Sequence, residues 1–213
     1  MNLQERYDAV IAYFNTNFPT AETELEFSSI FQLLVAVVLS AQCTDKRVNI
    51  VTPALFAAYP TPQKMSGAEE AEVYEYIKSV SYPNSKARYL IELSKKLVKD
   101  YNGEVPNNME KLTQLPGVGR KTANVVMAVA FNKDAMPVDT HVYRVSHRLG
   151  LVMKRHNTPY KVECELVRHI PAGMAARAHH WLLLHGRYVC KSIKPQCDRC
   201  PFDYFCPKNI ENK

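Results

Sequence analysis

An all-α fold is what this chain predicts, on three observations. Apolar residues recur at helical spacing along most of its length, prolines fall between those stretches or at their starts, and strand-like alternation is hard to find. The stretch 27–39 carries apolar residues at 27, 30, 31, 34, 35 and 38, the spacing of one helix face. Ser66-x-x-Glu69 has the form of a capping box and predicts a helix from there to about Val80. Asn84 can cap the next helix, with Leu90, Leu93 and Leu97 on one side and Gly103 as a stop signal beyond it. Asn107 and Asn108 start a short helix ending near Gln114, and a second runs from about Arg120 through Ala130. Segments 141–149, 159–170 and 175–188 also read as helices. Pro60, Pro62, Pro83, Pro106, Pro116, Pro137, Pro159 and Pro171 punctuate the series, and no repeat or long linker interrupts it.

At 213 residues and 46% apolar, the chain holds one large domain or two small ones, each with its own core. Its longest apolar runs, Leu33 to Leu39 and Val125 to Phe131, are seven residues each, far short of the ~20 a membrane span needs. No membrane partner is expected. The net charge of +6 is unevenly spread. Residues 1–140 hold 14 Lys+Arg against 16 Asp+Glu, whereas residues 141–213 hold 13 against 5 and all seven histidines. A one-sided basic excess suits a polyanion such as nucleic acid, although a merely soluble surface also carries a charge of this size.

Four of the six cysteines crowd into the last 24 residues as Cys190-x6-Cys197-x2-Cys200-x5-Cys206. Thiolates so close repel one another unless something cationic collects them. The choices are a 4Fe–4S cluster, a four-cysteine zinc site or two disulfides. Zinc usually takes two Cys-x2-Cys knuckles and only one pair here has that spacing, so the cluster is favoured. Disulfides are weakest: the chain opens Met-Asn-Leu-Gln-Glu-Arg, without a charged-then-apolar leader, so an intracellular location is expected. Cys43 and Cys164 stand apart and read as small buried hydrophobes.

A second signal is Leu115-Pro116-Gly117-Val118-Gly119-Arg120-Lys121-Thr122-Ala123. Two glycines between short helices let the backbone turn tightly and leave its amides uncovered. With the positive end of the following helix, these amides form an anion site sized for a phosphate. An ordinary glycine turn is the plain alternative; the basic pair behind it argues for phosphate contact.

Here the chain resembles endonuclease III, the iron–sulfur branch of the helix–hairpin–helix DNA glycosylases. The hairpin, Pro137-Val138-Asp139-Thr140-His141-Val142-Tyr143-Arg144-Val145 and the cysteine loop carry the resemblance. Leu39-Ser40-Ala41-Gln42-Cys43-Thr44-Asp45 and His180-Trp181 with Leu184-His185-Gly186-Arg187-Tyr188 extend it over essentially the whole chain. The resemblance implies two helical lobes: residues 20–134 as a helical barrel with the hairpin, and residues 1–19 plus 135–213 holding a 4Fe–4S cluster on Cys190, Cys197, Cys200 and Cys206. It implies a monomeric, bacterial, cytoplasmic and nucleoid-associated enzyme of base excision repair. Such an enzyme removes oxidised pyrimidines from double-stranded DNA through a lysine Schiff base and cuts 3′ to the abasic site by β-elimination.

By the same resemblance Lys121 is the nucleophile and Asp139 its carboxylate partner, the damaged base entering between the lobes. A lysine ammonium is not nucleophilic, and Arg120 and a helix N-terminus both disfavour the charged form. Asp139 alone would read as a helix N-cap. Gln42 fills the stack that the extruded nucleotide vacates. Asp45, Tyr82, Gly117, Val118, Gly119, Arg120, His141, Lys191 and Lys194 are the further DNA contacts. The family's second wedge is usually an apolar residue in a glycine-containing turn. In this chain the stretch is Ser81-Tyr82-Pro83-Asn84-Ser85-Lys86, without the glycine, so Tyr82 either stacks on bases or packs inward.

Overall fold

In the computed structural model, which describes residues 1–20 and 22–208, every regular element is helical. Residues 209–213 of the expected cluster lobe and Ala21 of the expected barrel lie outside the described residues. The chain divides into two compact units, Glu24–Phe131 and Met1–Thr23 with Asn132–Lys213.

The unit Glu24–Phe131 is built around α2 (Ile30–Ser40), whose residues Leu33 through Leu39 are all buried. A helix apolar on every face can only lie inside a shell of others. α3 (Asp45–Ala58), α6 (Pro83–Tyr101) and α8 (Arg120–Phe131) pack on it, while α4 (Pro62–Ser66) and α5 (Glu70–Ile77) pack on α6 and α7 (Met109–Thr113) on α8. Leu55, Ile77, Leu90, Leu93, Leu97 and Val126 complete the core.

Local chemistry sets most helix starts. Side chains of Ser29, Thr44, Thr61 and Asn108 each accept the backbone N–H three residues on, satisfying a donor that has no acceptor inside its helix. Two expectations fail at this level. The Ser66–Glu69 capping box does not form: Ser66 ends α4, its hydroxyl donates to Gln63 O at 2.8 Å, and Glu69 caps α5 without a side-chain bond. Pro62 with Thr61 behind it starts a helix earlier and uses up Ser66. Asn84 lies inside α6, which Pro83 opens from a left-handed Tyr82. Sequence reasoning also missed α3, because Pro53 interrupts its pattern; Thr44 followed by Asp45 was the available signal.

The other unit brings α1 (Leu3–Asn17) to the later helices α9 (Thr140–Arg148), α10 (Pro159–His169) and α11 (Ala175–Tyr188). Phe14 stacks on Trp181 with ring centroids 5.8 Å apart, and the indole donates to Phe18 O at 2.7 Å. Phe202, from the cysteine loop, meets Phe14 and His185 at 5.3 Å each. Among the described residues no helix is long and apolar enough to cross a membrane.

Candidate active site

The hairpin is anchored from below. Leu115 and Val118 are buried, and Val118 N donates to Leu115 O at 3.1 Å, which leaves the glycines outside. Gly117 has φ +76, and a Cβ there would sit 2.9 Å from Tyr89 Cβ, so both backbone and space demand glycine. Gly119 differs: a Cβ there meets nothing within 4 Å, and no contact inside the chain calls for glycine. Arg120 and Lys121 follow as exposed residues at the start of α8, whose first amides lack helical acceptors. No hydrogen bond or ion pair holds the Lys121 side chain among the described residues. Val118, being buried, has only its main chain to offer a ligand.

The turns that carry Gln42 and Tyr82, 40 positions apart in sequence, are joined through Ser81. Ser81 Oγ donates to Gln42 O at 2.6 Å, and both Gln42 and Tyr82 have left-handed backbone, φ 54 and 55. Tyr82 points outward, 64% exposed, which excludes the inward-packed alternative. Beneath them Lys86 donates to Leu39 O at 2.8 Å and Ala41 O at 2.7 Å. Burial lowers its pKa. Asp45 opens α3 behind Thr44, where an acid suits the positive helix end.

Asp139 is the N-cap of α9, its Oδ1 accepting Val142 N at 2.7 Å. The residue is half-buried, and a carboxylate capping through one oxygen retains lone pairs on the other. Three bonds order the chain around it. Buried His179 donates from Nδ1 to Pro137 O at 2.7 Å, and Arg144 Nη2 donates to Gly186 O at 2.8 Å and to His141 Nδ1 at 3.2 Å. His141 is thereby engaged with its own helix.

The four expected ligand cysteines line one pocket together with Arg148, Pro195 and Gln196. Among the described residues no three His, Cys, Asp or Glu converge as ligands of a single metal ion. Burial first, then the neighbouring thiols, push the Cys200 pKa up to about 11, and Cys206 is raised for the same reasons. Four thiolates here need a cationic group among them. Donors already face the sulfurs: Lys208 N lies 3.4 Å from Cys206 Sγ, and Arg148 Nη1 3.6 Å from Cys190 Sγ. Arg148 also grips the loop backbone through Lys191 O at 2.6 Å and Ser192 O at 3.1 Å. Lys191 and Lys194 are exposed on this loop, Lys194 with φ 51. Cys43 is half-buried, whereas Cys164 is exposed, against expectation, because it lies on the outer side of α10.

Three residues escaped the sequence reading: Lys86, Arg144 and Arg148. For Lys86 a signal existed, since helical spacing puts it on the buried stripe of Leu90, Leu93 and Leu97. The arginines gave none, because their partners are main-chain carbonyls far along the chain.

A bundle of helices presenting a glycine hairpin followed by a lysine has the form of a helix–hairpin–helix protein, a class built to hold DNA phosphates. Residues 35–172 match the HhH-GPD superfamily base excision DNA repair protein. The chain is 49% identical to endonuclease III of Rickettsia conorii over 92% of its length and 93% of that protein's. It is 42% identical to that of Escherichia coli K12 over 97% and 96%. A trapped endonuclease III–DNA covalent intermediate superposes with a TM-score of 0.91 at 42% identity, covering 98% of this chain and 97% of that one. A thermostable thymine-DNA glycosylase gives 0.80 at 25% identity over 97% and 95%. The chain belongs to the endonuclease III family. It is accordingly a DNA glycosylase and abasic-site lyase of base excision repair.

Proposed function

We propose that this enzyme removes oxidised pyrimidines from duplex DNA with Lys121 as nucleophile, working as a monomer. The observation that carries the reading is the setting of Lys121: an exposed amine two residues past the open Gly119, beside Arg120, at the start of α8. The hairpin amides hold a phosphate of the lesion strand. The amine attacks C1′, the base leaves, and a Schiff base forms between nitrogen and sugar. Loss of a proton from C2′ expels the 3′ phosphate by β-elimination, and water then frees the lysine. Support comes from the relative captured as a covalent intermediate with DNA. Asp139 either stabilises positive charge on the sugar or takes the proton of the lysine. Gln42 and Tyr82 fill the stack left by the extruded nucleotide, a step costing a few kcal/mol.

In the same reading Cys190, Cys197, Cys200 and Cys206 hold a 4Fe–4S cluster. The four cysteines line one pocket, and their spacing, with a single Cys-x2-Cys pair, suits a multi-iron group better than zinc. The cluster supplies structural cross-linking, shaping residues 191–196 so that Lys191 and Lys194 meet phosphates. The unit Glu24–Phe131 is then the hairpin lobe and the other unit the cluster lobe.

Borohydride trapping on a duplex containing one oxidised thymine tests the proposal. Wild type should give a covalent protein–DNA band and Lys121→Gln none. Equal bands from both would move the nucleophile elsewhere, and no band from either, with binding intact, would leave only a grip on phosphates.

A further inference from the structure

Gln42 and Tyr82 are the two residues of this unit assigned to fill an opened stack, and each stands in a left-handed conformation that favours glycine. Such conformations persist where the surroundings over-determine them, and here the same few bonds hold both. Ser81, directly before Tyr82, donates from its hydroxyl to Gln42 O at 2.6 Å. Lys86, in the first turns of the helix that Tyr82 caps, donates from Nζ to Leu39 O and Ala41 O at 2.8 and 2.7 Å. Its own amide donates to Tyr82 O at 3.1 Å. The turns at 41–43 and 81–82 are thus stitched together across about forty residues of sequence.

Lys86 is an expensive choice for this place. It is 4% exposed, and among the described residues its one ionisable neighbour is the Cys43 thiol, not a carboxylate. Its position continues the stripe of Leu90, Leu93 and Leu97, where an apolar side chain would avoid the desolvation of a charge. The ammonium does meet the carbonyl end of α2, where a cation is favoured. A leucine would fill the same space and leave those carbonyls unclaimed. What the charge adds is direction: two short bonds that fix where α2 stops and how Ala41 hands the chain to Gln42.

We propose that Lys86 is a positioning residue which, with Ser81, holds Gln42 and Tyr82 as one preformed wedge for the duplex. The proposal rests on the assignment of those two residues to DNA contact above. A wedge already set in place has no loops to order when the nucleotide leaves the stack, so extrusion is easier. Lys86 and Ser81 touch no substrate; they act through the residues they hold. Cleavage of an abasic site in single-stranded DNA, which has no stack to open, should not need them.

The test compares Lys86→Met, Ser81→Ala and Ser81→Thr with wild type on two substrates. One is a duplex with an oxidised thymine and 2-aminopurine opposite it; the other is a single-stranded abasic oligonucleotide. Lys86→Met and Ser81→Ala should lower duplex kcat about 10- to 100-fold and shrink the 2-aminopurine signal of unstacking. Both should leave single-strand cleavage within about two-fold, and Ser81→Thr, which keeps the hydroxyl, should restore duplex activity. A parallel fall on both substrates, or no fall on either, overturns the proposal. Gln42→Ala and Tyr82→Ala separate the two levels. If they leave duplex activity and fluorescence unchanged, the wedge assignment itself is wrong and the proposal falls with it. If they impair both while Ser81→Ala and Lys86→Met do not, the wedge stands and its bracing is overturned.

Discussion

Asp139 illustrates how one side chain serves two ends. Its Oδ1 caps α9 at 2.7 Å, which any Asp before a helix would do. Asparagine caps as well as aspartate, so Asp139→Asn should cost under ~0.5 kcal/mol of stability in denaturant titration. If the carboxylate takes part in the chemistry, the same change should lower single-turnover base release by at least about 100-fold. A variant equally stable and equally active would leave Asp139 only its capping role. The two hairpin glycines make a sharper contrast. Gly117→Ala forces a Cβ against Tyr89 in a left-handed backbone and should lower stability by ~1–3 kcal/mol, read from the urea midpoint. Gly119→Ala meets nothing in the free protein, so the midpoint should hold while affinity for an abasic-site duplex weakens. Unchanged binding by Gly119→Ala would show that no phosphate approaches the hairpin there. Lys121 was legible as a residue type beside glycines; its exposed, unbonded state was not.

At the scale of elements, the cysteine loop carries the clearest expectation. Lys191 and Lys194 are exposed on a backbone gripped by Arg148, so they project rather than fold back. If each meets one phosphate, Lys191→Ala with Lys194→Ala should weaken duplex binding. The double change should flatten the plot of log affinity against log salt by about 1.8. A slope unaltered by the double change would mean that the lysines only offset negative charge on the loop. The helices show what local sequence can and cannot say. Starts at Thr44, Thr61, Asn108 and Thr158 follow from one side chain reaching one amide three residues on. The Ser66–Glu69 pattern is as good on paper, yet Ser66 had already been taken into α4. A capping motif names a competent residue; which of two neighbouring helices claims it depends on the packing of Met65 and Val73 into the core.

For the whole molecule, the aromatic core of the unit Met1–Thr23 with Asn132–Lys213 joins distant stretches: Phe14 from α1, Trp181 from α11 and Phe202 from the cysteine loop. A loop tied in this way should lose more than its own order when its ligands are lost. If the cysteines hold the proposed cluster, Cys200→Ser is expected to abolish its visible absorbance and lower the thermal midpoint by several degrees, roughly 2–4 °C per kcal/mol lost in a chain of this size. An unchanged midpoint would show that the loop folds independently of what the cysteines bind. The all-helical class, most helix starts, the hairpin and the cysteine pattern were determined by the sequence alone. Helical hydrogen bonds, caps and glycine turns all act within a few residues of one another. The resemblance had already grouped the N-terminal residues with those from 135 onward; only the tertiary structure decided that Phe14, Trp181 and Phe202 meet, that Gln42 and Tyr82 share one brace, and that a lysine lies buried beneath them. Those pairings come from apolar faces and main-chain carbonyls meeting across long separations. Periodicity marks which face is buried and says nothing of which partner it is buried against.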